Sequence, residues 1–116
     1  MATRLYSFGY RHGTPGAKLK IEEGARVIDV RRQFNRNPYH NKSLRKLRGD
    51  HPDVEADILR TPQFAKHYVR LKRLVEDWPG PVYLGCTGGH HRSVYLCRRL
   101  GLELGLVVTH LNYDDP

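Results

Sequence analysis

Hydrophobic and polar positions along the chain switch twice between short β-type runs and longer helical stripes. Arg4 to Tyr10 alternates well enough for a strand, and Gly9 and Gly13-Thr14-Pro15-Gly16 break it. Val27-Ile28-Asp29-Val30 is a β-branched run that predicts a buried strand, with Asp29 as a carboxylate that needs a partner or a role there. Asn35, Asn37 and Pro38 mark a loop, Lys42 to Arg48 predicts a short helix, and Val54 to Leu59 predicts one or two helical turns. Thr61-Pro62 opens the clearest helix, with Thr61 as its cap and Pro62 at the first helical position. Phe64, Tyr68, Leu71, Val75 and Trp78 form its apolar stripe, Lys66, Arg70 and Arg73 lie opposite, and Pro79-Gly80-Pro81 ends it.

Val82-Tyr83-Leu84 then reads as a strand, His91 to Leu104 as a helix stopped by Gly105, and Leu106 to Thr109 as a last strand. The helix turns Val94, Cys97, Leu100, Gly101 and Leu104 inward. Strand, helix and strand in this order make a βαβ unit with parallel strands. The expected fold is therefore α/β: one small domain over residues 1–116, a mostly parallel sheet flanked by helices, with the βαβ unit at its C-terminal end.

Composition narrows the function. No stretch is apolar enough to span a bilayer, and Met1-Ala2-Thr3-Arg4 lacks the apolar core of a signal peptide, which predicts a cytoplasmic protein with no membrane partner. Cys86 and Cys97 then read as free thiols, Cys97 as core packing. Twenty Lys and Arg against twelve Asp and Glu leave a formal net charge of +8, which points to an anionic partner: nucleic acid, a phosphorylated small molecule or an acidic protein.

The chemistry concentrates in Gly85-Cys86-Thr87-Gly88-Gly89-His90-His91-Arg92-Ser93. This stretch joins a strand to a helix, where open α/β sheets place their ligands. Gly85, Gly88 and Gly89 allow close backbone approach, the helix start offers unpaired N–H groups, and Arg92 supplies a fork of donors for phosphate oxygens. Thr87 and Ser93 add hydroxyls. Cys86 and Arg92 also stand at the Cys-x5-Arg spacing of cysteine-dependent phosphatases, in which a thiolate attacks phosphorus. Such an enzyme needs a carboxylic acid on a second loop, for which Asp50, Asp53 and Asp114 are candidates. Binding of a phosphosugar or nucleotide without turnover is the other reading of the same loop.

Ser7 to Pro15, Asp29-Val30-Arg31 with Asn37-Pro38-Tyr39, and Gly85 to Tyr95 are three segments that together resemble the RapZ C-terminal domain family of RNase adapter proteins. Ser7 to Pro15 is similar to its SFGF(K/R)-x-G-x-P opening. Asp29-Val30-Arg31 with Asn37-Pro38-Tyr39 is similar to its FDVR…NP segment, and Gly85 to Tyr95 to its GCTGG-x-HRSVY loop. The resemblance implies a regulatory, RNA-binding module that senses an amino-sugar phosphate and self-associates, and it shifts the weight from turnover to binding. It implies a metabolite pocket made by Cys86, Thr87, Gly88, Gly89, His91, Arg92 and Ser93, with Asp29 contributing from the neighbouring strand. Asp29 would accept from a ligand hydroxyl, or pair with Arg31 or Arg92 as a simple ion pair. Arg31 itself is counted with the ligand-binding residues.

The chain departs from the family pattern in several places. Nothing in it resembles the family's P-loop kinase-like domain, so it reads as a stand-alone module, and its middle, from Asp53 to Val82, is short. His110-Leu111 replaces an HR pair, Asp114-Asp115-Pro116 replaces a basic tail, and Tyr39 replaces a His.

RNA binding has its own signal. Arg31, Arg32, Arg36, Lys42, Arg45, Lys46 and Arg48 occur with no acidic residue between them, and Phe34 and Tyr39 are interleaved. Basic groups neutralise phosphates and aromatics stack on unpaired bases. A solvated basic loop whose aromatics belong to the core gives the same pattern, and a basic face used on an acidic protein partner is a third reading. The seven histidines show no zinc spacing, and neither metal nor cofactor is expected.

Overall fold

The computed structural model describes residues 1–116. Four strands form one all-parallel sheet: β1 (Leu5–Gly9), β2 (Arg26–Asp29), β3 (Val82–Cys86) and β4 (Val108–His110), in the spatial order β2-β3-β1-β4. Three helices complete the fold: α1 (Pro52–Leu59), α2 (Phe64–Glu76) and α3 (Arg92–Leu104). The expected βαβ unit is present as β3-α3-β4, but β1 lies between its two strands and pairs in parallel with both.

Alternation assigns the two faces. Leu5, Val82, Leu84 and Cys86 join the core with Leu71 and Val75 of α2 and Leu96, Cys97 and Leu100 of α3. Tyr6, Phe8 and Tyr83 lie on the opposite face, under the segment that follows β1. Tyr6 and Tyr83 stack at 4.4 Å between centroids, Tyr10 meets Phe8 edge-on at 4.9 Å, and the Glu22 amide donates to the Tyr83 hydroxyl at 3.0 Å. No helix is long and apolar enough to cross a membrane.

Local chemistry explains where the helices start and stop. Pro52 occupies the first turn of α1, and the His51 ring accepts from the Asp53 amide at 3.1 Å. Phe64, Tyr68, Leu71 and Val75 are the buried stripe of α2. The helix begins later than Thr61-Pro62 implies. Gln63 takes a left-handed conformation (φ 56°) and is the residue before the first turn, while Thr61 is buried and its hydroxyl caps nothing. Gly105 closes α3 with φ 68°. Residues 42–48 form successive tight turns rather than a helix, for example from the Leu47 amide to the Leu44 carbonyl at 3.0 Å. Leu44 and Leu47 point into the core, and Gly49 is tied to the His90 carbonyl at 2.8 Å, so tertiary anchors override a weak helical preference there.

The connections create the site. The chain leaves β1 toward β2 on one side of the sheet and leaves β3 toward β4 on the other. The carboxyl ends of β1 and β3 therefore flank a topological switch point, where the diverging loops open a crevice.

Candidate functional site

The crevice holds a cavity of about 130 Å³ lined by Arg11, Asn37, Tyr39, Cys86, Thr87, Gly88, His90, His91 and Arg92. Its floor is the loop between β3 and α3. Two backbone bonds from the extension of β1 bracket that loop: Tyr10 N–H to the Cys86 carbonyl at 2.9 Å and Arg11 N–H to the Thr87 carbonyl at 3.0 Å. The His90 carbonyl accepts from Gly49 at 2.8 Å and the His91 carbonyl from Tyr95 at 2.9 Å. The carbonyls of Cys86, Thr87, His90 and His91 are thus engaged, whereas the amides from Thr87 to Val94 donate to no backbone carbonyl. A row of free donors leading into the start of a 13-residue helix is suited to an anion.

Arg92 defines the electrostatics. It is 4% exposed, and it makes no ion pair. Nη1 donates to the carbonyls of Phe34 (3.1 Å) and Arg31 (3.4 Å), Nη2 donates to the Thr87 hydroxyl (3.3 Å), and the buried Nε has no partner. Burial lowers its pKa from the usual value, and the nearby Cys86 opposes that shift. A guanidinium remains charged at neutral pH all the same, so a buried one without a counter-ion is a standing demand for an anion.

The histidines share this character. His90 and His91 are 8% and 5% exposed, and each has a buried Nε2 without a partner. Burial pushes both below the ordinary imidazole value, and for His90 the positive charge of Arg48 adds to the effect. Both are neutral at pH 7.

Cys86 ends β3, 2% exposed, with its Sγ 3.2 Å from the Ser93 hydroxyl. Cys97 is fully buried in α3, where desolvation drives its thiol well above the usual range, and both cysteines are free. Gly89 adopts φ 75°, and a Cβ on it would meet the Gly9 amide nitrogen at 2.6 Å. A Cβ on Gly9 would in turn strike the Gly88 carbonyl carbon at 2.3 Å, so the loops after β1 and β3 fit together only as glycines. Gly85, grouped above with the anion-approach glycines, does something else: a Cβ there would overlap the Phe8 ring at 2.4 Å.

Of the residues singled out from sequence, Cys86, Thr87, Gly88, His91 and Arg92 converge on the cavity. Gly89 and Ser93 support it from behind. Asp29 and Arg31 do not line it. Asp29 sits at the exposed end of β2 rather than in a buried strand, because β2 is an edge strand paired only with β3. Arg31 grips Asp29 with a fork of hydrogen bonds (Nη2 to Oδ2 2.8 Å, Nε to Oδ1 3.0 Å), which lowers the Asp29 pKa. The Arg31 guanidinium also stacks 4.1 Å over Tyr10, and only its carbonyl reaches Arg92. Asp50, Asp53 and Asp114 all lie outside the cavity, which no carboxylate lines.

Arg11, Asn37, Tyr39 and His90 line the cavity too, although the sequence does not single them out. Each lies inside a motif segment, but only the fold brings their side chains to one place.

The basic run divides. Phe34 is core, 2% exposed, while Tyr39 is about half exposed with Arg45 stacked 4.7 Å from its ring centre. Arg36 pairs with Asp57 at 3.1 Å, and Arg32 and Lys42 are exposed away from the cavity. Arg45, Lys46 and Arg48 instead line a second, larger groove of about 550 Å³ together with Arg11, Tyr39, His90 and Pro116.

The sequence is similar to known proteins over most of its length. The RapZ C-terminal domain model matches residues 1–112. A nucleotide-binding protein of Granulibacter bethesdensis is 36% identical over 114 residues, covering 90% of this chain and 33% of that protein. One of Deinococcus radiodurans is 35% identical over 111 residues, covering 87% and 36%, and one of Sorangium cellulosum is 36% identical over 129 residues, covering 98% and 34%. The chain spans about a third of the length of these relatives. From the parallel sheet, the glycine-locked loop and this match, the chain belongs to the RapZ C-terminal domain family.

Proposed function

We propose that this chain is a cytoplasmic regulatory module that binds a phosphorylated small molecule in the Cys86–Ser93 loop, with RNA as a second partner along its basic rim. One observation carries the reading: Arg92 is buried, charged and without a counter-ion in a cavity that has free backbone donors and no carboxylate. A phosphoryl group supplies the missing charge and enough acceptor oxygens for the guanidinium and the loop amides. The relatives are named nucleotide-binding proteins, which fits a phosphorylated ligand in general, and the family resemblance favours an amino-sugar phosphate within that class. Calorimetry with inorganic phosphate and an amino-sugar 6-phosphate tests the assignment. Arg92→Ala should weaken both by roughly ten- to a hundredfold, the loss expected for a charge-assisted bidentate contact. Undiminished binding by a variant that melts like the parent overturns it.

The Cys86–Ser93 contact at 3.2 Å favours a second reading, in which Cys86 is a nucleophile. The cavity lacks the carboxylic acid such chemistry uses to protonate a leaving group, so binding without turnover takes precedence. Hydrolysis of an aryl phosphate that disappears in Cys86→Ser would reverse that order.

A further inference from the structure

The loop cavity and the basic groove adjoin each other. They share Arg11, Tyr39 and His90, and the groove carries on to Arg45, Lys46 and Arg48. The cavity, at about 130 Å³, has room for a phosphoryl group and little more, so whatever is attached to that group leaves through the shared residues into the groove. There it meets a row of cations, with Tyr39 about half exposed beneath Arg45. Separated cations beside one accessible aromatic ring match a chain of phosphates with bases attached, since each cation can neutralise a phosphate and the ring can stack on an unpaired base. A neutral sugar would leave these charges unused.

We infer that the site takes the terminal phosphate of a single-stranded nucleic acid, seated against Arg92 and the loop amides, with the adjoining nucleotides running along Tyr39, Arg45, Lys46 and Arg48. This rests on the phosphate reading of the loop and extends it: small phosphorylated ligands and strand ends compete for one anchor. His90, which lines both spaces with a buried, unpartnered Nε2, stands at the junction. Any RNA bound along the groove is thereby read at its end rather than by its internal sequence.

The test compares short oligonucleotides of one sequence carrying a 5′-phosphate, a 3′-phosphate or neither, by fluorescence anisotropy, with inorganic phosphate alone measured by calorimetry. One phosphorylated form should bind about tenfold more tightly than the unphosphorylated strand, and millimolar phosphate should erase the difference. Arg92→Ala should abolish the preference for a phosphorylated end. Lys46→Ala, at an exposed position outside the cavity, should weaken all three strands alike and leave phosphate binding unchanged. Equal affinity of all three strands, with phosphate still bound by the protein, overturns this inference and leaves the loop assignment standing. Failure to bind inorganic phosphate overturns both. A preference for a phosphorylated end that survives Arg92→Ala also overturns it, because the end is then recognised elsewhere.

Discussion

Gly88 and Gly89 are neighbours in the loop yet answer to different constraints. Gly89 has φ 75° and no room, with the Gly9 nitrogen 2.6 Å and the Phe8 carbonyl carbon 2.9 Å from where a Cβ would sit. Gly88 has no such conformational demand, and the nearest atoms to its missing Cβ, on Arg11 and His90, are 3.8 Å away. Gly89→Ala should therefore destabilise the fold by roughly 2 kcal/mol or more, through left-handed strain plus backbone overlap, as read from denaturant midpoints. Gly88→Ala should melt like the parent and lose phosphate affinity, because its methyl would stand between Arg11 and His90 in the cavity. A normal melt for Gly89→Ala would mean that the loops after β1 and β3 are not interlocked. Two adjacent letters identical in sequence thus separate into a structural glycine and a ligand-facing one.

At the scale of elements, α3 determines how the site is held. Its first residues carry Arg92 and Ser93, and its far end is fixed against β4 at Gly101, where a Cβ would meet the Val108 side chain at 2.5 Å and the Leu106 carbonyl oxygen at 3.0 Å. In the same last turn, Glu103 accepts from the Tyr68 hydroxyl of α2 and lies 3.6 Å from Lys72 and 3.5 Å from Arg99, which ties the two helices together. Gly101→Ala should push α3 off β4 and cost roughly 1–3 kcal/mol, measurable by chemical denaturation. Since the helix carries Arg92 at its other end, phosphate affinity should fall in the same variant. Affinity that stays at the parent value would show that the loop holds its shape independently of the helix's seating.

For the whole molecule, charge and burial set a pH response. His90, His91 and His110 are all held below the ordinary imidazole pKa of 6.5, chiefly by burial. The unfolded chain therefore takes up protons before the folded one does. Their contribution to stability is complete above that pH and is lost as pH falls through 6.5 toward the folded values. Asp29 and Glu103, lowered by hydrogen bonds from Arg31 and Tyr68, add acid sensitivity only below their ordinary values of 3.8 and 4.5. Thermal melts should accordingly decline between about pH 7 and 5, and His91→Gln should flatten that decline. Bound phosphate favours protonated imidazoles beside it and should lessen the fall. A melting temperature constant down to pH 5 would contradict the burial of these rings.

The sequence by itself determined the α/β class, the parallel βαβ unit, the apolar stripe of α2 and the location of the loop. These follow from local periodicity and from glycine, proline and arginine at fixed spacing, which act over a few residues. Cys86, Thr87, Gly88, His91 and Arg92, expected from the sequence to meet a ligand, do line one cavity, because a strand end and a helix start bring them together. Only the tertiary structure decided the rest. The insertion of β1 between β3 and β4 created the switch point and delivered Arg11, and the turns at 37–49 delivered Asn37, Tyr39, Arg45 and Arg48. Asp29 went the other way, since an edge strand leaves its carboxyl end free to pair with Arg31 in solvent. Whether a charged residue meets a ligand, a counter-ion or water depends on contacts between segments far apart in the chain, and no local pattern encodes those.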